Sequence, residues 1–195
     1  MKVNEIFYSL QGEGYWTGTP SIFVRFSGCN LKCDFCDTHH QDGEEMSEEE
    51  IVEAISQYPG VHVIFTGGEP TLQLTHSLVE RVHAIGKRVH IETNGTQRLS
   101  DGLVQAIDWI TVSPKHAPVL IQRIDELKVV FRGARQPMDT YDTLTASRPD
   151  CHFLQPCDVG NPSDNARIVN ETIEYIKQHP HWRLSLQTHK LTGIR

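Results

Sequence analysis

The chain has 195 residues, 22% of them charged, and a formal net charge of −7 at pH 7, so it is long enough to bury a core without disulfide or metal support. An acidic balance excludes the basic footprint that a nucleic-acid backbone requires, and no apolar run approaches the roughly 20 residues that cross a bilayer. With no signal-like apolar stretch after Met1-Lys2-Val3-Asn4-Glu5, the expectation is one cytoplasmic domain, residues 1–195, that works on a small molecule without nucleic acid or membrane.

Residues 21–26 (SIFVRF) have the β-branched and aromatic content of a strand and run directly into Gly28 and Cys29. After a cysteine-rich loop, Ser47 and Glu50 form a capping box, and Ile51, Val52 and Ile55 recur at helical spacing towards Pro59-Gly60. The acidic run Glu44-Glu45 with Glu48-Glu49-Glu50 reads as a solvated loop and a helix start, where the helix dipole favours negative charge. A strand at 61–65 follows, then a helix from about Thr71 with Leu74, Leu78, Val82 and Ile85 on one face, stopped by Gly86. Next come a strand at 89–91, a short helix at 103–107, and strands at 109–112 and 127–131. A helix from near Pro137 to Ser147, a strand at 152–154, a helix through Ile168, Ile173 and Ile176 and a closing strand at 182–186 complete the pattern.

Repeated strand-then-helix alternation predicts an α/β fold with a mostly parallel sheet, either open or curled towards a barrel. Six strands run into polar, turn-rich motifs: Gly28-Cys29, Thr66-Gly67-Gly68-Glu69-Pro70, Glu92-Thr93-Asn94-Gly95-Thr96, Ser113-Pro114-Lys115, Gln155-Pro156-Cys157-Asp158 and Gln187-Thr188-His189-Lys190. Parallel strands direct their C-terminal ends the same way, so these motifs should meet on one face, where such folds assemble their sites.

Cys29, Cys33 and Cys36 form a C-x3-C-x2-C run. Four cysteines complete an iron-sulfur cluster, whereas three leave one iron open to a ligand. The rival is a closed zinc site that adds His39, although a chain of this length needs no metal to fold. Of the remaining cysteines, Cys151 and Cys157 read as small buried hydrophobes.

The cysteine run, with Phe35 before the last cysteine, and the glycine-rich Thr66-Gly67-Gly68-Glu69-Pro70 together resemble the radical S-adenosylmethionine superfamily. In that reading the methionyl amino and carboxylate groups chelate the open iron, Gly67-Gly68 let the backbone approach the ligand closely, and Glu69 accepts from the ammonium. The cluster passes one electron into the sulfonium, giving a 5'-deoxyadenosyl radical.

The stretch from Glu5 to Gly14 (EIFYSLQGEG), with Arg25, Phe35-Cys36-Asp37-Thr38, Glu92-Thr93-Asn94-Gly95-Thr96 and Gln187-Thr188-His189-Lys190, is similar to the 7-carboxy-7-deazaguanine synthase family over nearly the whole chain. The resemblance implies a partial, opened (β/α) barrel of about six to seven mostly parallel strands. It also implies radical ring contraction of 6-carboxy-5,6,7,8-tetrahydropterin with loss of ammonia, in queuosine biosynthesis. It assigns the 4Fe-4S cluster to Cys29, Cys33 and Cys36, and S-adenosylmethionine, a recycled cofactor, to Phe35, Cys36, Asp37, Gly68, Ser113, Pro114, Lys115, Gln155, Pro156, Cys157 and Asp158. Mg2+ falls to Thr38, and the substrate to Leu10, Gln11, Gly12, Arg25, Thr66 and the terminal carboxylate of Arg195. A homodimer and a flavodoxin- or ferredoxin-type electron donor are implied as well.

Each polar residue also has a plainer reading. Arg25 within its strand can pair with a carboxylate, and Thr66, Ser113 and Gln155 can be ordinary strand-end hydrogen-bonders. Most of the eleven histidines fall on expected loops or helix faces, and His189 stands apart because it follows the last strand on the expected active face. Two other functions are compatible with the motifs: a glycyl-radical-enzyme activating protein, and a zinc-binding module without catalysis.

Overall fold

The computed structural model describes every residue except Asp37, His39 and Asp142. Its strands are β1 (Lys2–Leu10), β2 (Pro20–Phe26), β3 (Glu44–Glu45), β4 (His62–Gly67), β5 (Arg88–Thr93), β6 (Trp109–Val112), β7 (Glu126–Phe131), β8 (His152–Pro156) and β9 (Arg183–Leu184). The helices are α1 (Glu48–Ser56), α2 (His76–Ala84), α3 (Asp101–Ala106), α4 (Pro162–Gln178) and α5 (Thr188–Thr192). Among the described residues the strands form one sheet in the order β3-β1-β2-β4-β5-β6-β7-β8-β9. β1 runs antiparallel to β2 and β3, and every pairing from β2 to β9 is parallel. The order has two free ends, so the sheet is open and not closed on itself, consistent with the partial, opened barrel that the resemblance implied.

Strand side chains alternate between faces, and here each face has its own chemistry. Ile22, Val24, Phe26, Val63, Phe65, Val89, Ile91, Ile110, Val112, Leu127, Val129 and Phe131 form the core with Ile51, Ile55, Leu78, Val82 and Leu103 from the helices. The residues between them, including Arg25, Thr66, Glu92, Ser113, Lys128 and Gln155, face a cavity. At the opposite end, where the strands begin, the loop between β1 and β2 inserts Tyr15 and Trp16. Trp16 lies 4.8 Å from the His62 ring, 5.1 Å from His90 and 5.5 Å from Trp109, and Tyr15 stacks on Trp109. This aromatic plug fills the start of the strands and leaves their C-terminal ends to the site.

Several elements differ from the sequence reading. β1 was not expected as a strand; its alternation is interrupted by a register shift between Val3 and Glu5, a bulge that breaks the period-2 signal. Glu44–Glu45 is not a free loop but pairs with β1 as an edge strand. The helix expected from Thr71 is divided. A 3-10 turn at Pro70–Leu72 is capped by Glu69, Gln73 donates to the Ser27 carbonyl at 2.7 Å, and Thr75 then caps α2. The helix expected from Pro137 to Ser147 is reduced to a 3-10 turn at Met138–Tyr141, in a segment rich in threonine, a weak helix former. The closing strand is shorter than expected, and α5 follows it, ending on Gly193 in the left-handed region at φ 68°. No helix among the described residues is long and apolar enough to cross a membrane.

Candidate active site

The C-terminal ends of the parallel strands surround a cavity of about 1220 Å³. Its wall includes Leu10, Gln11, Gly12, Arg25, Cys29, Cys33, Phe35, Cys36, Thr38, Thr66, Gly68, Ser113, Lys115, Gln155, Pro156, Cys157, Asp158 and Arg195. Of the other expected site residues, Pro114 is buried beside the wall without lining it, and Asp37 lies outside the described residues. His189 also reaches the cavity, packed so closely on Gly12 that a Cβ there would sit 2.3 Å from its Nδ1.

The cysteine loop projects from the end of β2. Cys29 and Cys33 are half-buried and Cys36 is exposed. The Cys36 N–H donates to the Cys33 carbonyl at 3.3 Å, and the Leu31 N–H donates to Cys29 Sγ at 3.4 Å. Burial pushes the Cys29 and Cys33 thiols up, with the Glu69 carboxylate adding to it at Cys29 and the neighbouring cysteines at both. Asn30 fastens the loop to the end of β5: its amide donates to Thr96 Oγ1 at 2.8 Å, and its oxygen accepts from Asn94 at 3.1 Å. The Phe35 ring lies beneath the Arg132 guanidinium at 5.0 Å and the Lys115 ammonium at 5.9 Å, and Arg132 also pairs with Asp34 at 2.8 Å. Among the described residues no three His, Cys, Asp or Glu side chains gather closely enough to hold a single metal ion. Cys29, Cys33 and Cys36 come from one loop on the cavity wall, a donor set that suits a cluster whose ligands are spread over several metal atoms.

The glycines at the end of β4 have a local reason besides any ligand contact. Gly67 has φ 123°, and a Cβ on it would lie 2.1 Å from the Phe26 carbonyl oxygen; a Cβ on Gly68 would lie 1.8 Å from the Gly28 carbonyl oxygen. The two loops therefore touch backbone to backbone, which only glycine permits. Glu69 is fully buried and accepts from the Thr71 N–H at 3.1 Å, Thr71 Oγ1 at 2.5 Å, Thr93 Oγ1 at 2.6 Å and the Asn94 N–H at 2.8 Å. Its oxygens are taken up by the chain's own donors, which corrects the expectation that it accepts from a ligand ammonium. Glu69 ties the ends of β4 and β5 together.

A charged floor that the sequence reading missed lies across the cavity. Lys128 Nζ stands 2.7 Å from Glu13 Oε2 and 2.8 Å from Glu92 Oε2. Gln11 donates to Glu92 at 2.7 Å and Gln187 to Glu13 at 3.0 Å. Burial acts to raise the Glu13 carboxyl, but the Lys128 charge and the donors Lys128 and Gln187 bring it down to about 2. Burial acts to lower Lys128, and the surrounding carboxylates hold it above the ordinary lysine range. Glu126, two positions before Lys128 on the same face, accepts from the Tyr15 N–H at 3.2 Å, while its Oε1 is buried without a hydrogen-bond partner among the described residues. Burial pushes its carboxyl up to about 7. The sequence trace of this floor is Glu126 and Lys128 at strand spacing within an otherwise apolar segment.

Against this geometry, the profile of the Radical SAM superfamily matches residues 23–136. A 7-carboxy-7-deazaguanine synthase of Bacteroides thetaiotaomicron is 52% identical, covering 100% of this chain and 98% of its own. One of Bordetella pertussis is 42% identical, covering 98% of each. The crystal structure of QueE from Escherichia coli superposes with a TM-score of 0.75 at 30% identity, covering 95% of this chain and 92% of that one. A cysteine loop and glycine turn joined at one end of an opened parallel barrel, with relatives of this identity over the full length, leave one conclusion: the chain belongs to the radical SAM superfamily and, within it, to the 7-carboxy-7-deazaguanine synthase family.

Proposed function

We propose that this enzyme converts 6-carboxy-5,6,7,8-tetrahydropterin to 7-carboxy-7-deazaguanine by radical ring contraction with loss of ammonia, in queuosine biosynthesis. The observation that carries the reading is a cavity with the cysteine loop on one wall and amide, carboxylate and guanidinium groups of Gln11, Glu92 and Arg25 on another. The relatives' shared name supports it.

Radical SAM chemistry needs a 4Fe-4S cluster, S-adenosylmethionine, a small-molecule substrate and a reductant. The cluster, on Cys29, Cys33 and Cys36, supplies one electron for cleaving the sulfonium of S-adenosylmethionine. The chain's own work is to bind and orient. Phe35, Cys36, Gly68, Ser113, Lys115 and the segment Gln155-Pro156-Cys157-Asp158 would line the adenosylmethionine pocket, with Pro114 packed beside it; Asp37, also assigned to this cofactor, lies outside the described residues. Lys115 donates to Ser113 Oγ at 2.5 Å, which fixes one side of the pocket. Asp158 is held well below the usual carboxylate range, chiefly by its hydrogen bond with Lys190 at 2.8 Å, and so stays ionised beside the pocket.

Leu10, Gln11, Gly12, Thr66 and Arg195 hold the substrate, and Arg25 takes its carboxylate through the guanidinium fork. Donors and acceptors along a pterin edge match amides and carboxylates fixed in place by Lys128. Thr38 contributes to a Mg2+ site that substrate oxygens complete. A flavodoxin- or ferredoxin-type protein delivers the electron, and the enzyme works in the cytoplasm as a homodimer. Anaerobic incubation of reconstituted enzyme with the carboxytetrahydropterin, S-adenosylmethionine and a reductant should yield the deazaguanine acid and ammonia. Cofactor cleavage without that product would remove the substrate assignment.

A further inference from the structure

Glu5 and Arg25 are directly opposite partners on β1 and β2. The bulge just before Glu5 shifts the register there, and bulges re-aim side chains. Both side chains reach the cavity. Glu5 Oε1 accepts from Arg25 Nε at 2.8 Å. A guanidinium has a side edge that includes Nε and an end edge made of its two terminal nitrogens. Pairing Nε with Glu5 uses the side edge and fixes the plane of the group, so the end fork keeps one direction.

The second oxygen of Glu5 accepts from the guanidinium of Arg195. That guanidinium also lies 4.9 Å over the Phe7 ring, and a main-chain oxygen of Arg195 accepts from Ser9 Oγ at 2.6 Å. Glu5, Phe7 and Ser9 alternate along β1, so one face of that strand holds Arg195 in place. A single carboxylate thus separates two guanidiniums that would otherwise repel each other.

We propose that Glu5 is a positioning residue for recognition of the substrate carboxylate: held from its other side by the Arg195 guanidinium, it aims the end fork of Arg25 into the cavity without touching the substrate itself. This rests on the role given above to Arg25. As a stability contact the pair would count for little, since partly exposed ion pairs are screened by solvent; its value lies in pre-orienting a fork that must meet a planar carboxylate.

The test is anaerobic equilibrium binding of 6-carboxy-5,6,7,8-tetrahydropterin to the cluster-loaded enzyme with S-adenosylmethionine, for wild type, Glu5→Gln, Arg25→Gln and the double variant. A residue that acts through Arg25 loses its effect once Arg25 is gone, so Glu5→Gln should weaken binding about tenfold alone and less than about twofold in the Arg25→Gln background. Glu5→Asp, which keeps the charge, should recover part of the loss. Binding of tetrahydropterin without the 6-carboxylate should be the same in wild type and Glu5→Gln. If Arg25→Gln weakens binding but Glu5→Gln does not, or if the two effects add, the positioning role is overturned and the role of Arg25 survives. If Arg25→Gln leaves binding intact, the assignment of Arg25 itself fails, and Glu5's role with it. Should Glu5→Gln fold poorly, Arg195→Ala tests the same arrangement from its other end, with unchanged binding counting against it.

Discussion

Lys128 on β7 and Glu92 on β5 meet across the face of β6 at 2.8 Å, and the same ammonium reaches Glu13 at 2.7 Å from the loop between β1 and β2. Lys128 is 3% exposed. The cavity floor is therefore a charged network closed from three parts of the chain, with the amides of Gln11 and Gln187 on its edges.

Removing Lys128 should strand two carboxylates. Breaking a buried pair by deleting one partner costs ~3–5 kcal/mol, because the remaining charge is left uncompensated. Lys128→Met should lose stability of that size in chemical denaturation, while Lys128→Met combined with Glu13→Gln and Glu92→Gln recovers much of it. A single-variant loss under ~1 kcal/mol would mean that the network behaves like a surface pair.

The turn glycines are fixed by space. Gly14 has φ 67°, and a Cβ on it would lie 1.9 Å from Glu126 Oε1. Gly14→Ala combines a left-handed conformation, about 1–2 kcal/mol unfavourable for a side chain, with displacement of a buried carboxylate. Gly68→Ala meets backbone 1.8 Å away and should separate the glycine turn from the cysteine loop. The expected result is impaired cluster retention and S-adenosylmethionine binding, followed by visible absorption and calorimetry. By contrast, Gly86→Ala has open space, and its cost should be confined to its positive φ of 76°.

Glu126 should impose a pH dependence on stability. Its carboxyl is raised from 4.5 to about 7, chiefly by burial. A raised acid binds more protons folded than unfolded, so its contribution is complete below about pH 4.5 and is lost as pH rises through about 7. Glu126→Gln stays neutral and keeps an acceptor for the Tyr15 N–H. Relative to wild type it should gain ~3 kcal/mol across that window, measured by denaturant unfolding at pH 5 and pH 8. A difference that does not change with pH would contradict the burial of this carboxyl.

The cysteines should separate into two classes. Cys33→Ala should abolish cluster assembly, as should the same change at Cys29 or Cys36. Cys151 is fully buried in the helix-side core, so Cys151→Ala should keep the full iron and sulfide content and lose only the stability of a small buried side chain. Iron and acid-labile sulfide analysis after anaerobic reconstitution makes the comparison.

Parts of the site that need a fixed residue type within a short run were legible in the sequence. Cys29, Cys33 and Cys36 lie within one loop, and the strand-end motifs converge because parallel strands direct them together. The charged floor was not legible, since Glu13 and Lys128 are 115 residues apart and acquire partners only when the sheet curls. Glu5 escaped notice for a related reason: the bulge hides β1 from any reading based on alternation, and with it the pairing to Arg25. Gly67 and Gly68 were found by their motif, but the backbone contact that requires them depends on how the ends of β2 and β4 approach.

Every proposed role at this end of the barrel depends on three cysteines that would leave one iron open for S-adenosylmethionine. Electron paramagnetic resonance of the anaerobically reduced, reconstituted protein with and without S-adenosylmethionine tests this directly. A reduced 4Fe-4S signal that changes when the cofactor is added, and is absent from Cys33→Ala, is the expected result. A signal indifferent to the cofactor, or zinc-loaded protein with neither iron nor sulfide, would contradict it.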